Sequence, residues 1–172
     1  EEHRRIAEIL CDETKDAGVV GVMGATALNT AEAVRKARVA MELELDGVLM
    51  IQPFYTPLTD RELVAFWRHV GDSCPEIGII IYHYDWIRQP YSLELYQRLS
   101  DIPNLVGSKE AHWDFDFWRR MHEDSPLAHM SSTDSWMVEL WRAGACGVGS
   151  LQVAYCPHVI GEIIDLCHQG QF

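Results

Sequence analysis

The sequence predicts an α/β fold. The expected architecture is a (β/α)8 barrel, of which these residues cover about six βα units with the N-terminal strands missing. Three observations carry this expectation. Short apolar runs alternate with longer amphipathic ones at a period of roughly 25–30 residues, which is the rhythm of repeated βα units in a parallel sheet. The polar residues with chemical potential, Tyr55, Tyr82 and Lys109, all follow or end strands, and in a barrel those ends form one catalytic face. No GxGxxG or GxxxxGK[ST] loop follows any strand, which weakens the competing open nucleotide-binding sheet. By strand count alone the open doubly wound sheet also fits. A whole barrel needs about 250 residues. The chain lacks an initiator Met and begins inside a helix, so residues 1–172 are expected to be part of one barrel domain. Roughly 60 or more further residues are expected before Glu1, since two βα units of a barrel take about that many.

The elements follow in order. Residues 1 to about 16 form a leading helix, and Val19–Met23 reads as a buried strand. Asn29 or Thr30 can cap the next helix, which runs to about Leu43, and Glu32 can answer the cap. Asp46–Ile51 is the next strand, and Thr59 opens a helix ending near Asp72. Gly78–Tyr82 is a continuous apolar strand, typical of a parallel sheet covered on both faces. A helix from Ser92 to about Ser100, a strand from Leu105 to Lys109 and a helix from Asp114 to about His122 come next. Leu127–Ser131 is a weaker strand, Ser135–Arg142 a helix, and Gly147–Leu151 the last strand. The tail from Pro157 to about Cys167 is helical.

Composition narrows the function classes. With 48% hydrophobic residues and six Trp, the chain can bury a sizeable core. No apolar stretch is long enough to span a membrane, and the mixed-charge start is no signal peptide. A net charge of −12 argues against nucleic acid, which needs clustered Lys and Arg. The five cysteines form no CxxC pair, so a reduced, cytoplasmic protein is the simplest reading. The scattered histidines have no metal-ligand spacing, and neither a metal nor a cofactor is expected.

The candidate chemistry centres on Lys109, one of the few lysines beside Lys15 and Lys36. It ends the apolar run Asn104-Leu-Val-Gly-Ser-Lys109, where burial lowers a lysine's pKa. A neutral amine attacks a ketone and forms a Schiff base. The simpler alternative is a lysine that snorkels or pairs with Glu110. Tyr82 ends the preceding strand, so in a barrel the two side chains can meet at its mouth, with the phenol moving protons. Otherwise Tyr82 packs on a loop. Tyr55 lies in Gln52-Pro-Phe-Tyr-Thr-Pro57, where two prolines stiffen the loop. Gly147-Val-Gly-Ser150 lets a ligand approach the backbone closely. Ser131-Ser-Thr-Asp134 can offer hydroxyls and amides to a carboxylate, or cap the following helix through Ser132, Thr133 or Asp134. His83, Asp85 and Arg88 either contact a polar substrate or form a solvated loop.

Five segments in order resemble the dihydrodipicolinate synthase/N-acetylneuraminate lyase family. They are Gly24-Ala-Thr-Ala-Leu-Asn-Thr-Ala-Glu-Ala33, Asp46-Gly-Val-Leu-Met-Ile-Gln-Pro-Phe-Tyr55, Ile79-Ile-Ile-Tyr82, Pro103-Asn-Leu-Val-Gly-Ser-Lys-Glu-Ala111 and Gly144-Ala-Cys-Gly-Val-Gly-Ser150. The resemblance implies a (β/α)8 barrel and class I aldolase chemistry. It makes Lys109 the residue that forms the Schiff base with pyruvate, and Tyr82 the proton relay. Tyr55 becomes the tyrosine lent across a dimer interface. Ser132 and Gly149 fall where main-chain groups line the pyruvate pocket. The implied partners are pyruvate and an aldehyde or 2-keto acid, in a homotetramer or homodimer. The leading activity is that of a 4-hydroxy-tetrahydrodipicolinate synthase. N-acetylneuraminate lyase, 2-keto-3-deoxy sugar-acid aldolase and aromatic hydratase-aldolase are the alternatives, and a keto-acid-binding sensor or scaffold is the non-enzymatic one.

The chain departs from the family pattern in four places. The Gly-Thr-Thr-Gly-Glu-type loop that holds the keto-acid carboxylate would precede Glu1. The usual Tyr-Asn-Val-Pro is here Tyr82-His-Tyr-Asp85. The synthase arginine that holds the second substrate's carboxylate falls on Ile87, with Arg88 one place late as the candidate substitute. The usual Ser-Gly-Asp-Asp is Ser131-Ser-Thr-Asp134.

Overall fold

The computed structural model describes residues 1–84, 87, 89–111 and 114–172 of the chain. Helix α1 (Glu2–Lys15) leads into strand β1 (Val22–Gly24), helix α2 (Thr30–Glu42) and strand β2 (Gly47–Met50). Then follow α3 (Asp60–Ser73), β3 (Gly78–His83), α4 (Leu93–Leu99), β4 (Leu105–Glu110), α5 (Phe115–Asp124), β5 (Ala128–Ser131), α6 (Met137–Arg142) and α7 (Pro157–His168). The strands form one parallel sheet in the order β1-β2-β3-β4-β5. Strictly sequential order has no switch point, the feature that defines a doubly wound sheet. It is the order of a (β/α)8 barrel wall.

Helix starts follow their capping chemistry. Asn29 accepts the Glu32 amide at 2.9 Å, but the Glu32 side chain turns to Arg35 and does not answer the cap. A reciprocal capping box forms instead at Thr59 and Glu62, opening α3. Ser92 caps α4 and Asp114 caps α5. Helix α6 starts at Met137, behind Trp136, with no side-chain cap. The expected side-chain caps from Ser132, Thr133 or Asp134 do not form at this helix. Asp134 accepts the Leu151 amide at 3.2 Å, and the Thr133 amide bonds the Ser131 hydroxyl.

The expected strand Gly147–Leu151 is reduced to a single parallel bridge, Ser131↔Val148. Two backbone bonds hold it, Ser131 N to Gly147 O at 2.9 Å and Gly149 N to Ser131 O at 2.7 Å. The Ser150 hydroxyl then takes the amides of Gln152 and Val153, and the chain turns into a short 3-10 helix, Gln152–Ala154.

The sheet's two faces differ. Met23, Val48, Met50, Ile79 and Ile81 are buried and share one core with helix residues such as Ala37, Phe66, Trp67, Leu95 and Trp118. The alternate positions, among them Val22, Leu49, Ile80, Tyr82 and Lys109, are only half-buried. Helices cover one face of β3, and the residues on its other face are half-buried. Strand parity explains the split, since successive side chains point to opposite faces.

One irregularity sets that parity for β4. Ile79 pairs with Leu105, but Ile80 pairs with Gly107, so Val106 is an extra residue and stands 48% exposed. An extra residue in a strand exchanges the faces of everything after it. Leu105 is buried beside Ile79 under the helices, whereas Lys109 pairs with Tyr82 on the open face.

Candidate active site

Tyr82 and Lys109 are register partners at the ends of β3 and β4. The Lys109 Nζ lies 3.9 Å from the centroid of the Tyr82 ring, well inside cation–π range. Burial lowers the Lys109 pKa from the ordinary 10.5, because a partly dry site disfavours the ammonium. Burial first, and the neighbouring Tyr84 second, raise the Tyr82 phenol. The pair thus places an amine that loses its proton more readily beside a phenol that keeps its own. The other lysines are committed to polar partners. Lys15 is 3.6 Å from Glu44, and Lys36 donates to the Thr26 carbonyl at 2.6 Å.

Lys109 does not pair with Glu110. Glu110 points to the helix face, where it sits 3.2 Å from His83 Nδ1 and accepts the Tyr96 hydroxyl. Burial pushes the Glu110 carboxyl up, but His83, Ser108 and Tyr96 outweigh it and leave its pKa lowered. His83 is likewise buried and bonds the Gln89 carbonyl at 3.0 Å, so it neither faces a substrate nor forms part of a solvated loop. Ser108 bonds His129 Nδ1 at 2.7 Å, and burial brings His129 down to about 4. This buried polar cluster was not anticipated as a unit. The available signal was parity: His83 and Glu110 each follow an open-face residue by one position.

Gly149 lies against Lys109. A Cβ at this position would overlap the Lys109 Cε and stand 3.4 Å from its Nζ, so a side chain here would push the amine from its present position. Ser132 donates its amide to the carbonyl of Glu110 at 2.8 Å, next to the lysine. Its hydroxyl is buried with no protein hydrogen-bond partner among the described residues. The structure therefore brings Lys109, Tyr82 and Gly149 together, with the Ser132 backbone alongside. Tyr55 does not join them in burial; it stands 86% exposed on the loop after β2. Arg88 and Asp85 lie outside the described residues.

Beside this group is a cavity of about 440 Å³ lined by Ile51, Phe54, Tyr82, Tyr84 and Ile87. The rings of Tyr82 and Tyr84 meet edge to face at 5.5 Å. Among the described residues no cluster of His, Cys, Asp and Glu could hold a metal ion. No helix among them is long and apolar enough to cross a membrane.

The family model described as the Dihydrodipicolinate synthetase family matches residues 1–172. A 4-hydroxy-tetrahydrodipicolinate synthase of Methanothrix thermoacetophila is 31% identical over 99% of this chain and 58% of its own length. One from Methanococcoides burtonii is 29% identical over 98% of this chain, again 58% of its own length. The crystal structure of dihydrodipicolinate synthase from Aquifex aeolicus superposes with a TM-score of 0.94 at 26% identity, covering 99% of this chain and 59% of that one. The chain thus spans a little under three-fifths of the length of these relatives.

Proposed function

The chain belongs to the dihydrodipicolinate synthetase family, and from that premise we propose that residues 1–172 form part of a barrel catalytic domain whose Lys109 makes a Schiff base with pyruvate. The protein is then a lyase of the class I aldolase type, joining pyruvate to an aldehyde or releasing pyruvate from a 2-keto acid. The names of its relatives support 4-hydroxy-tetrahydrodipicolinate synthase as the leading activity.

The carrying observation is the half-buried Lys109 amine over the Tyr82 ring. The neutral amine attacks the pyruvate carbonyl carbon, and a phenol beside it hands protons to and from the oxygen as water leaves. Gly149 against the amine and Ser132 beside it support a keto-acid pocket lined by these two residues. The exposure of Tyr55 on its stiff loop supports a role outside this protomer's own core, at a neighbouring active site in a homodimer or homotetramer. The unpaired cysteines support a reducing, cytoplasmic setting.

Treating the whole protein with pyruvate and borohydride tests the reading. One pyruvyl-derived mass should appear, mapped to Lys109, with a trapping rate that rises through an inflection below the ordinary 10.5 of lysine. Labelling of Lys15 or Lys36 instead, or no label, would refute it. A sensor or scaffold that only binds keto acids would give no adduct.

A further inference from the structure

We propose that Gln89 is a positioning residue for Tyr55: its side-chain amide clasps the far end of the loop that carries Tyr55, and its carbonyl ties that loop to the strand ends that carry Tyr82 and Lys109. This rests on the reading of Lys109 as the imine-forming lysine and of Tyr55 as a phenol that moves protons at a neighbouring active site. The Leu58 amide donates to Gln89 Oε1 at 3.2 Å, and the Gln89 side-chain amide donates to the Leu58 carbonyl. One side chain thus meets both backbone groups of one residue, as a neighbouring strand would. The Gln89 carbonyl in turn accepts from His83 Nε2 at 3.0 Å. His83 lies 3.2 Å from Glu110, the residue after Lys109.

The loop runs from Gln52 to Leu58, and its tip stands in solvent, with Tyr55 86% exposed. A tip this exposed takes its position from its two ends. The near end is fixed by the Ile51 amide, which donates to the Thr26 hydroxyl at 3.0 Å, and by the buried Gln52. Gln89 fixes the far end at Leu58, just before Thr59 caps α3. Pro53 and Pro57 stiffen what lies between. Gln89 itself has a firm base. Pro90 follows it, and Tyr91 is buried with its hydroxyl taking the Trp67 indole N–H at 2.9 Å.

A hydroxyl that moves protons has to be held close to its productive geometry, and a loose loop must be ordered again in every turnover. Releasing the clasp leaves Tyr82 and Lys109 in register, because the pairing of β3 with β4 sets that register. It frees the Tyr55 phenol. The signature is slower proton transfer at an imine that still forms. The clasp also steadies the start of α3, but that role acts the same whatever residue stands at position 55.

The test uses the whole protein with pyruvate alone in D2O. The Lys109 imine loses a methyl proton to give the enamine, the enamine takes up a deuteron, and hydrolysis returns deuterated pyruvate and the free amine. Nuclear magnetic resonance follows the uptake. Gln89→Met keeps the side chain's length and loses both bonds. It should lower the maximal rate by about tenfold, the scale of one or two net hydrogen bonds, with the half-saturating pyruvate concentration unchanged. Gln89→Glu keeps the acceptor, loses the donor and should fall between. In a Tyr55→Phe background Gln89→Met should add no further loss, since a residue acting through another is not additive with it. The same fold-loss in both backgrounds would overturn the proposal, as would an unchanged rate in Gln89→Met. Where Gln89→Met fails to fold, Gln89→Glu carries the same comparison. An unchanged rate in Tyr55→Phe alone would overturn the Tyr55 reading and the proposal with it. Absence of a borohydride-trapped Lys109 adduct would overturn the imine reading beneath both.

Discussion

The two faces of the sheet solve opposite problems with neighbouring residues. On the helix face, Glu110 and His83 are buried and engaged with each other and with Tyr96, and Ser108 bonds His129. On the open face, Lys109 and Tyr82, one residue earlier on the same strands, are half-buried and touch through ring and amine. Polar groups under the helices are held by partners because an unmet buried charge is costly. On the open face no carboxylate among the described residues pairs with the Lys109 amine, which lies over the Tyr82 ring. The comparison teaches that polar residues at strand ends divide by parity into a part that holds the sheet and a part that can react.

The sharpest way to test this division is Tyr82→Phe. The ring under the Lys109 amine remains, so stability should hold, while turnover should fall by roughly 10²–10⁴-fold for loss of an acid–base group. Steady-state kinetics beside a urea melt would check it. A large stability loss with intact turnover would erase the distinction between the faces.

Glu110→Ala should do the reverse. It removes the carboxylate facing His83 and Tyr96, and breaking a buried pair from one side costs about 3–5 kcal/mol. Equilibrium urea unfolding should register this as a lower midpoint. An unchanged midpoint would show that the helix-face cluster contributes nothing to stability.

A pH series sharpens the same point with a smaller effect. Burial brings the folded His129 down to about 4, below the ordinary 6.5. Between those values the unfolded chain binds a proton that the folded one does not. Stability from this group is therefore full above pH 6.5 and falls as pH drops towards 4, by up to about 3 kcal/mol. The lowered Glu110 adds a loss further down, below the ordinary 4.5 and through its own folded value. His129→Asn should flatten the first window in urea melts run from pH 7 to pH 4. A wild-type curve already flat there would contradict the burial argument for His129.

Much of the fold is legible in the residues. Asn29, Thr59, Ser92 and Asp114 each stand where a helix begins, since a short polar side chain can take an unpaired amide there. The register of Tyr82 beside Lys109 follows from two consecutive parallel strands ending at comparable points. Gly147–Leu151 forms one bridge and not the expected strand, because apolar content does not say whether a segment finds a partner for more than one residue. Ser150 draws the amides of Gln152 and Val153 and ends the pairing. The side-chain caps expected near Ser132 do not form at α6, and Asp134 is used by Leu151 from far along the chain.

By itself the sequence determined the alternation of strand and helix, most of the helix starts, and the candidate pairing of an amine with a phenol. These rest on local periodicity and on neighbours in the chain. Only the tertiary structure decided which way the amine points. The extra residue at Val106 reverses the parity of β4, and this puts Lys109 on the open face with Gly149 against it and sends Glu110 under the helices to His83. A one-residue shift in pairing is invisible along the chain, because it depends on where the neighbouring strand's hydrogen bonds fall.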